Sequence, residues 1–157
     1  MKKTKKITQS ALIASLYVVL TFVANSLGLA SGVIQIRLSE ALTILPFFTS
    51  AAIPGLFIGC LIANIMVGGV IWDIIFGSLA TLIGATGTYI MRKRKWLSPV
   101  APIISNTVII PFVLIYAYNV TETLPYLMLT VGIGEIISAG VLGMILLKSL
   151  ERHRDIF

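Results

Sequence analysis

Residues 71–95 read IWDIIFGSLATLIGATGTYIMRKRK, a long apolar run that stops at four consecutive basic side chains. About 20 apolar residues are needed to cross the hydrocarbon core of a bilayer. Lys and Arg typically flank such a segment on its cytoplasmic side. The stretch therefore predicts a transmembrane helix over about 71–91, followed by a cytoplasmic basic loop.

The rest of the chain has the same character. Its 157 residues are 57% hydrophobic and only 11% charged, whereas about a quarter of the residues in a soluble domain are charged. A soluble fold of this size has too little interior to bury so much apolar surface. The composition predicts an all-α fold in a single integral membrane domain over residues 1–157. The lipid bilayer solvates this domain, and no separate soluble domain is expected.

Apolar runs and helix-breaking residues divide the chain into six predicted transmembrane helices. They cover about 7–29, 36–49, 54–67, 71–91, 99–118 and 124–147. The second and third are short, because Pro54-Gly55 divides an apolar stretch that is too long for one span. The first resembles a signal peptide, but its apolar run is longer than the core of such a peptide, so we expect it to be retained.

Basic residues determine the predicted orientation. Lys and Arg accumulate in short cytoplasmic loops, and six spans with a cytoplasmic N-terminus place eleven of the 12 on that side, all except Arg37. The net charge of +6 therefore reflects topology rather than a site for nucleic acid. We predict a multi-pass protein of the cell (plasma) membrane with both termini in the cytoplasm.

Six polar side chains fall inside the predicted spans, where charged groups are expensive and often mark a substrate path. They are Arg37, Glu40, Asn64, Asp73, Asn106 and Glu135. Arg37 and Glu40 are three residues apart and could neutralise each other, but one external cation cannot balance three carboxylates. The excess favours a ligand with a cation or several N–H donors, and a relay of protonated carboxylates is the competing explanation. The asparagines could instead form hydrogen bonds between helices.

Small residues recur at intervals of four in the first predicted helix. Ser10 with Ala14, and Ala11 with Ser15, form two adjacent ridges. Close backbone approach through small residues is a main route to helix association in lipid. The ridges predict either internal packing or docking onto another membrane protein. The single Cys60 lies in an apolar run, and we interpret it as a packing residue.

Sequence motifs of catalysis and metal binding are absent. There is no zinc-protease motif, no nucleophile elbow and no phosphate-binding loop, so the chain has no visible means of hydrolysing ATP. The one histidine, His153, lies among charged residues of the C-terminal tail. We therefore predict a protein that is not an enzyme, with no catalytic residue, no metal site and no cofactor of its own.

Two stretches resemble the queuosine-precursor transporter family, whose members are membrane substrate-binding subunits (S-components) of energy-coupling factor (ECF) transporters. They are residues 36–46, IRLSEALTILP, and residues 73–84, DIIFGSLATLIG. The shorter segments 102–106, PIISN, and 132–135, GIGE, are similar to the same pattern. The resemblance therefore covers nearly the whole chain.

This resemblance implies a six-helix bundle that binds its substrate from outside and topples in the membrane to deliver it inward. The implied partners are a transmembrane coupling subunit and two cytoplasmic ATPase subunits, which use the ATP that this chain cannot hydrolyse. The first helix of such proteins carries an Ala-x-x-x-Ala motif that docks on the coupling subunit. The residues that the resemblance assigns to docking are Ser10, Ala11, Ala14 and Ser15.

The implied ligand is a 7-deazaguanine such as preQ1, the aminomethyl precursor of queuosine, or queuine. A carboxylate can accept two N–H bonds from the guanine-like edge, and a second carboxylate can pair with an aminomethyl ammonium. Asn64 or Asn106 can serve the remaining ring atoms. Trp72 could stack on the ring, although an interfacial anchor is the usual role of such a Trp. The expected substrate-binding residues are Arg37, Glu40, Asn64, Trp72, Asp73, Asn106 and Glu135.

Three alternatives stay open. A few pocket residues set specificity, so an S-component for another small vitamin-like molecule is one of them. A self-sufficient proton-coupled carrier could use Glu135 or Asp73 as a relay, although one six-helix unit would have to dimerise to form paired repeats. A membrane scaffold without a ligand is the third, and it would leave three unpaired intramembrane acids unexplained.

Overall fold

A computed structural model describes residues 2–31 and 33–152. The tail residues His153 and Arg154 lie outside this range, as does the side chain of Lys2. Every regular element in the described ranges is helical. In chain order the elements are α1 (Lys2–Ser26), a 3-10 helix (Leu38–Phe47), α2 (Ala52–Met66), α3 (Ile71–Met91), a 3-10 turn (Lys95–Leu97), α4 (Val100–Tyr118), α5 (Leu124–Glu135), a π-helical segment (Ile136–Leu142) and α6 (Gly143–Glu151).

Four helical segments in the described part of the chain are long and apolar enough to cross a membrane. They are Lys3–Ser26, Ile71–Met91, Lys95–Tyr118 and Leu124–Glu151. The last one joins α5, the π-helical segment and α6 into one continuous helix. The predicted all-α, multi-pass membrane fold is therefore confirmed. The two remaining apolar helices, Leu38–Phe47 and Ala52–Met66, are shorter, and a count of six spans stays a prediction.

The structure corrects the form of the second predicted span. Residues 36–49 are not one α-helix, because a 3-10 helix covers Leu38–Phe47 and the preceding Arg37 is extended. Ten residues that each rise about 2.0 Å cover only about 20 Å, less than the hydrocarbon core of about 30 Å. Seven of the ten are buried inside the protein. Their apolar side chains fill the protein core rather than face lipid, and hydropathy cannot distinguish these two uses.

Helix ends also differ from the predicted bounds. α1 begins at Lys2 rather than at 7, and the last helix runs to Glu151 rather than to 147, because charged residues such as Lys and Glu are good helix formers beyond the apolar part. α1 ends at Ser26 rather than at 29, because Gly28 adopts a positive φ of 71° that does not continue the helix. A glycine reaches this conformation without the steric cost of a Cβ. α2 starts at Ala52, and Pro54 lies in its first turn, where proline is tolerated.

Close helix contacts form through small residues. A Cβ added to Gly59 of α2 would lie 2.9 Å from Ala14 Cα and 2.8 Å from Tyr17 Cβ of α1. A Cβ added to Gly84 of α3 would lie 2.7 Å from Pro102 Cα of α4. Larger residues would push these helices apart, so the glycines set the distance between neighbouring helices.

The 3-10 helix lies inside the bundle. α1, α2, α3 and α6 all contact it, and Leu42 and Leu45 share a buried apolar core with Tyr17 and Cys60. The Cys60 thiol lies 3.4 Å from the hydroxyl of Thr81 and is 3% exposed. This position agrees with the predicted packing role of the cysteine.

The basic clusters that were predicted to share one side of the membrane lie at one end of the bundle. Lys95 Nζ donates to Glu151 Oε2 at 2.7 Å, which joins the turn after α3 to the end of α6. Lys5 near the start of α1 and Leu150 near the end of α6 line one groove. The clusters are therefore together, as the charge pattern predicts, and the side of the membrane on which they lie stays a prediction.

Candidate ligand-binding site

A polar cavity of about 350 Å³ lies at the end of the bundle opposite the basic clusters, where the second half of α1, the start of α3 and the end of α4 meet. Sites for small ligands usually have volumes of about 300–1,000 Å³. The polar residues that line the cavity are Tyr17, Thr21, Asn25, Gln35, Arg37, Ser39, Asp73 and Tyr118. Two of the residues predicted from the sequence, Arg37 and Asp73, are among them.

Asp73 lies in the first turn of α3 and is held from two sides. The Tyr118 hydroxyl donates to its Oδ2 at 2.8 Å, and Asn64 Nδ2 donates to its backbone carbonyl oxygen at 3.4 Å. A Cβ on Gly77 would lie 3.1 Å from Asn64 Nδ2 and 3.2 Å from Asp73 Oδ1, so a glycine one turn along leaves room for both. Asn64 therefore positions the start of α3, and only Asp73 of this pair lines the cavity.

Arg37 lies in the extended residue that precedes the 3-10 helix. Its backbone N–H donates to Ser138 Oγ at 3.0 Å. Among the described residues, no carboxylate lies within 4.0 Å of its guanidinium. Arg37 and Glu40, which the sequence suggested could neutralise each other, therefore form no direct ion pair. Arg37 interacts at longer range with Glu135, Asp73 and Glu40, and its side chain lines the cavity.

Glu40 is buried below the cavity, with 1% of its surface exposed. The Tyr17 hydroxyl donates to Glu40 Oε1, and Asn106 Nδ2 donates to Glu40 Oε2 at 3.3 Å. Tyr17 lines the cavity, whereas Glu40 and Asn106 do not. The carboxylate therefore anchors the hydroxyl of a cavity residue and joins α1 to α4 through the 3-10 helix.

Glu135 is also buried, with 4% of its surface exposed. Its Oε2 has no hydrogen-bond partner within the described residues, which is costly for a buried polar atom. Glu135 is the last residue of α5 before the π-helical segment, a type of distortion that is frequent at functional sites. The neighbouring Gly134 packs against the carbonyl oxygen of Gln35, where a Cβ would overlap. Close packing of residues 132–135 against Gln35 thus holds residues 35–37 beside the cavity.

Trp72 points away from these residues. Its side chain is 56% exposed, and its ring stacks on Phe76 with 6.0 Å between the centroids. It lines a separate apolar groove with Val108, Phe112 and other residues. The structure therefore brings Arg37 and Asp73 together in one cavity, places Glu40, Asn106 and Glu135 beneath it, and leaves Trp72 outside.

The arrangement can hold a small polar ligand between charges of opposite sign. The model of the QueT transporter family matches residues 7–152 of this chain. The chain belongs to the QueT transporter family. The resemblance to this family in residues 36–46 and 73–84 is therefore confirmed, and the family is one of transporters.

A curated relative within this family comes from Lactococcus lactis subsp. cremoris (strain MG1363). It is a queuosine precursor transporter QueT that is 40% identical to this chain over 82 residues. The match includes 52% of this chain and 47% of the relative, so the chain spans about half the length of the curated relative it matches. No solved structure matches the chain.

The two small-residue ridges of α1 have different surroundings. Ser10 Oγ donates to the Ala51 carbonyl oxygen at 2.7 Å, and Ala14 is 8% exposed against α2. Ala11 and Ser15 are exposed on the outer face. Internal packing therefore uses Ser10 and Ala14, and the ridge that stays open to another membrane protein consists of Ala11 and Ser15.

Sequence reasoning missed several cavity residues. Tyr17, Thr21 and Asn25 are spaced by four in α1 and line the cavity together. Residues with this spacing lie on one face of a helix, so a polar stripe at 17, 21 and 25 was a usable signal. Tyr118 has no such signal, because its contact with Asp73 depends on how the end of α4 approaches the start of α3.

The described residues contain no group of three or more His, Cys, Asp or Glu that could hold a metal ion.

Proposed function

We propose that this chain is the membrane substrate-binding subunit of an ATP-driven ECF importer that takes up a queuosine precursor. The main support for the proposal is the family match over residues 7–152. The Lactococcus lactis relative adds to it, because that protein is a queuosine precursor transporter. The cavity supports it independently, because it places the charges of Arg37 and Asp73 on one small polar space. The proposed ligand is a 7-deazaguanine such as preQ1 or queuine.

The roles within the cavity follow from charge. Asp73 is the one carboxylate that lines the cavity among the described residues, so it accepts the N–H groups or the ammonium of the ligand through charge-assisted hydrogen bonds. Arg37 donates to the ligand carbonyl. Tyr17 presents its ring to the flat heterocycle while Glu40 holds its hydroxyl. The residues beneath the cavity do not contact the ligand but support the residues that do: Glu40, Asn106 and Glu135. Asn64 positions Asp73 through its hydrogen bond to the Asp73 carbonyl oxygen.

The proposed partners are a transmembrane coupling subunit and two ATPase subunits. They hydrolyse ATP, and the chain itself carries no cofactor. The exposed ridge of Ala11 and Ser15 supports this partnership, because small residues on an open helix face allow another helix to approach closely. The protein lies in the cell membrane with both termini in the cytoplasm.

Direct binding tests the proposal. Purified protein is titrated with preQ1 by calorimetry without ATP, and Asp73→Asn is titrated beside it. We expect wild-type binding and an affinity about tenfold to a hundredfold weaker in the variant, because a charge-assisted hydrogen bond contributes about 1.5–3 kcal/mol. Trp72→Phe is the matched control, since Trp72 adjoins Asp73 in sequence but lies outside the cavity. Absence of wild-type binding would reject the substrate, and equal losses in both variants would reject the assigned site.

A second candidate function is a proton-coupled carrier that works without partner subunits. The observation that favours it is the unpartnered, buried Glu135 Oε2, because a carboxyl group in such a place can carry a proton. Uptake of preQ1 into proteoliposomes that contain this chain alone, driven by a pH gradient and lost in Glu135→Gln, would support the carrier. Binding without such uptake would support the importer subunit.

A further inference from the structure

Two buried carboxyl groups lie beneath the polar cavity on different elements. Glu40 of the 3-10 helix is 1% exposed, and Glu135 at the end of α5 is 4% exposed. Among the described residues, Arg37 is the cation that interacts with both of them. Arg37 also interacts with Asp73, which lines the cavity. One positive charge is therefore shared by three carboxyl groups.

The two buried carboxyl groups differ in the hydrogen bonds that they receive. Both oxygens of Glu40 accept one, Oε1 from the Tyr17 hydroxyl and Oε2 from Asn106 Nδ2. Glu135 also interacts with Asn106, but its Oε2 has no partner within the described residues. An ionised carboxylate only accepts hydrogen bonds, whereas a neutral carboxylic acid carries one O–H. The surroundings of Glu40 thus suit an ionised carboxylate, and those of Glu135 do not.

The elements packed around Glu135 bring no second cation to it. α5 and the π-helical segment pack against α4, the 3-10 helix and α6. α4 contains no Asp, Glu, Lys, Arg or His, and its two tyrosines lie at its far end. The 3-10 helix offers Glu40, a like charge. On α6, Lys148 lies about 20 Å along the helix from Glu135.

The charged form of Glu135 is therefore poorly supported. Arg37 attracts it only at longer range, because no carboxylate of the described residues lies within 4.0 Å of the guanidinium. A buried charge is costly unless it is paired and hydrogen-bonded. A neighbouring carboxylate such as Glu40 adds repulsion to that cost. A proton on Glu135 removes both costs at once.

We propose that Glu135 is a proton-binding site, whose side chain is a neutral carboxylic acid in the free protein and stays neutral when the ligand is bound. Glu40 and Asp73 then carry two negative charges against the one positive charge of Arg37. The remaining negative charge complements a ligand with a single ammonium group, such as preQ1. This consequence rests on the proposed function, whereas the proton itself does not. A proton-coupled carrier would instead release this proton in every cycle.

Infrared spectroscopy of the ligand-free protein in lipid bilayers at neutral pH tests the proton directly. A neutral carboxylic acid has a C=O band above the amide bands, and an ionised carboxylate has none there. We expect this band in the wild type and its loss in Glu135→Gln. Glu122→Gln makes the same change on an exposed residue and keeps the band. Absence of the band from the wild type, or its survival in Glu135→Gln, would overturn the proposal.

The charge at the cavity is tested by calorimetry with two ligands, preQ1 and the uncharged 7-hydroxymethyl-7-deazaguanine of similar size. The ratio of the two affinities is compared between variants, because general damage to the site affects both ligands alike. We expect the wild type to prefer preQ1, and Glu135→Gln to keep the same ratio, since it replaces one neutral group by another. Glu40→Gln removes a negative charge and should lower the ratio about tenfold.

A fall of this ratio in Glu135→Gln as large as in Glu40→Gln would overturn the proposal, because Glu135 would then carry a charge. The infrared measurement needs no ligand. It therefore decides whether Glu135 holds a proton even if the protein does not bind preQ1, and a failure of the proposed function is distinguished from a failure of this inference.

Discussion

The two halves of α1 turn the same side toward the bundle with different chemistry. In the first half, Ser10 and Ala14 bring α1 close to α2 through small side chains. In the second half, Thr21 and Asn25 face the polar cavity. Tyr17 lies at the border, with its Cβ near Gly59 and its hydroxyl on Glu40. We call residues 2–16 the tight half of α1 and residues 17–26 the polar half. Because the small residues of the tight half fix the distance between α1 and α2, they also determine where the Tyr17 hydroxyl lies relative to Glu40.

The largest effect is expected on the outer ridge of the tight half. The double change Ala11→Leu and Ser15→Leu should abolish uptake of a queuosine precursor in cells that contain the coupling module. The reason is that bulky side chains prevent close approach of a partner helix. Binding of preQ1 by the purified protein should stay at the wild-type level, since neither residue lines the cavity. Uptake assays and calorimetry on the same variant check the two halves of this prediction.

Thr86→Leu is the matched control for that variant. Thr86 is exposed on α3, and its hydroxyl donates to the backbone carbonyl four residues earlier, as Ser15 does to Ala11. Loss of uptake in the control as well would show that bulk on any exposed helix face is harmful. In that case the ridge would have no special role.

The inner face of the tight half is tested by Gly59→Ala. The new Cβ would lie 2.9 Å from the Cα and the carbonyl oxygen of Ala14, and backbone atoms cannot rotate away. We expect a loss of about 2–3 kcal/mol in the free energy of unfolding, in the range typical of overpacked cores. Gly132→Ala is the control, because its Cβ would meet Thr107 at 3.4 Å, an ordinary contact. Denaturant titrations in detergent measure both, and similar values for the two would contradict a glycine-limited contact.

Much of the fold could be predicted because hydropathy and charge are local properties. The span over 71–91 matches α3 (Ile71–Met91) in both bounds, since its apolar run ends sharply at basic residues. The 3-10 helix (Leu38–Phe47) could not be predicted in this way. Its apolar side chains face other helices instead of lipid, and that difference appears only when the bundle is assembled.

The site was predicted in part for a related reason. A charged residue inside an apolar span is visible in the sequence, so Arg37 and Asp73 were found as candidates. Whether such a residue lines a cavity or anchors a neighbour depends on contacts over long sequence separations. Glu40 reaches Asn106 across 66 positions, and no local pattern indicates that pairing. The sequence analysis therefore identified the acids without separating Asp73, in the cavity, from Glu40 and Glu135 beneath it.

The border between the two halves of α1 is tested by Tyr17→Phe. Removing the hydroxyl leaves Glu40 Oε1 without its donor in a buried place, which costs about 1–2 kcal/mol of stability. The affinity for preQ1 should fall by less, because the ring of residue 17 is retained. Urea titration measures the stability and calorimetry the affinity. A variant with full stability and lost binding would contradict the anchoring role, since the hydroxyl would then serve the ligand directly.

The smallest effect is expected at the far wall of the cavity, opposite the polar half of α1. Tyr118→Phe removes the 2.8 Å hydrogen bond to Asp73 Oδ2 but leaves the Asp73 charge in place. Because this contact is exposed to solvent, water can replace the lost hydroxyl, and affinity for preQ1 should fall only about twofold to tenfold. Tyr116→Phe removes a hydroxyl from a side chain that is 79% exposed and absent from the cavity. It should bind preQ1 like the wild type. If Tyr118→Phe bound as tightly as Tyr116→Phe, Asp73 would need no help from α4 to face the ligand. The shape of the site would then depend on the cavity residues of α1, Tyr17, Thr21 and Asn25.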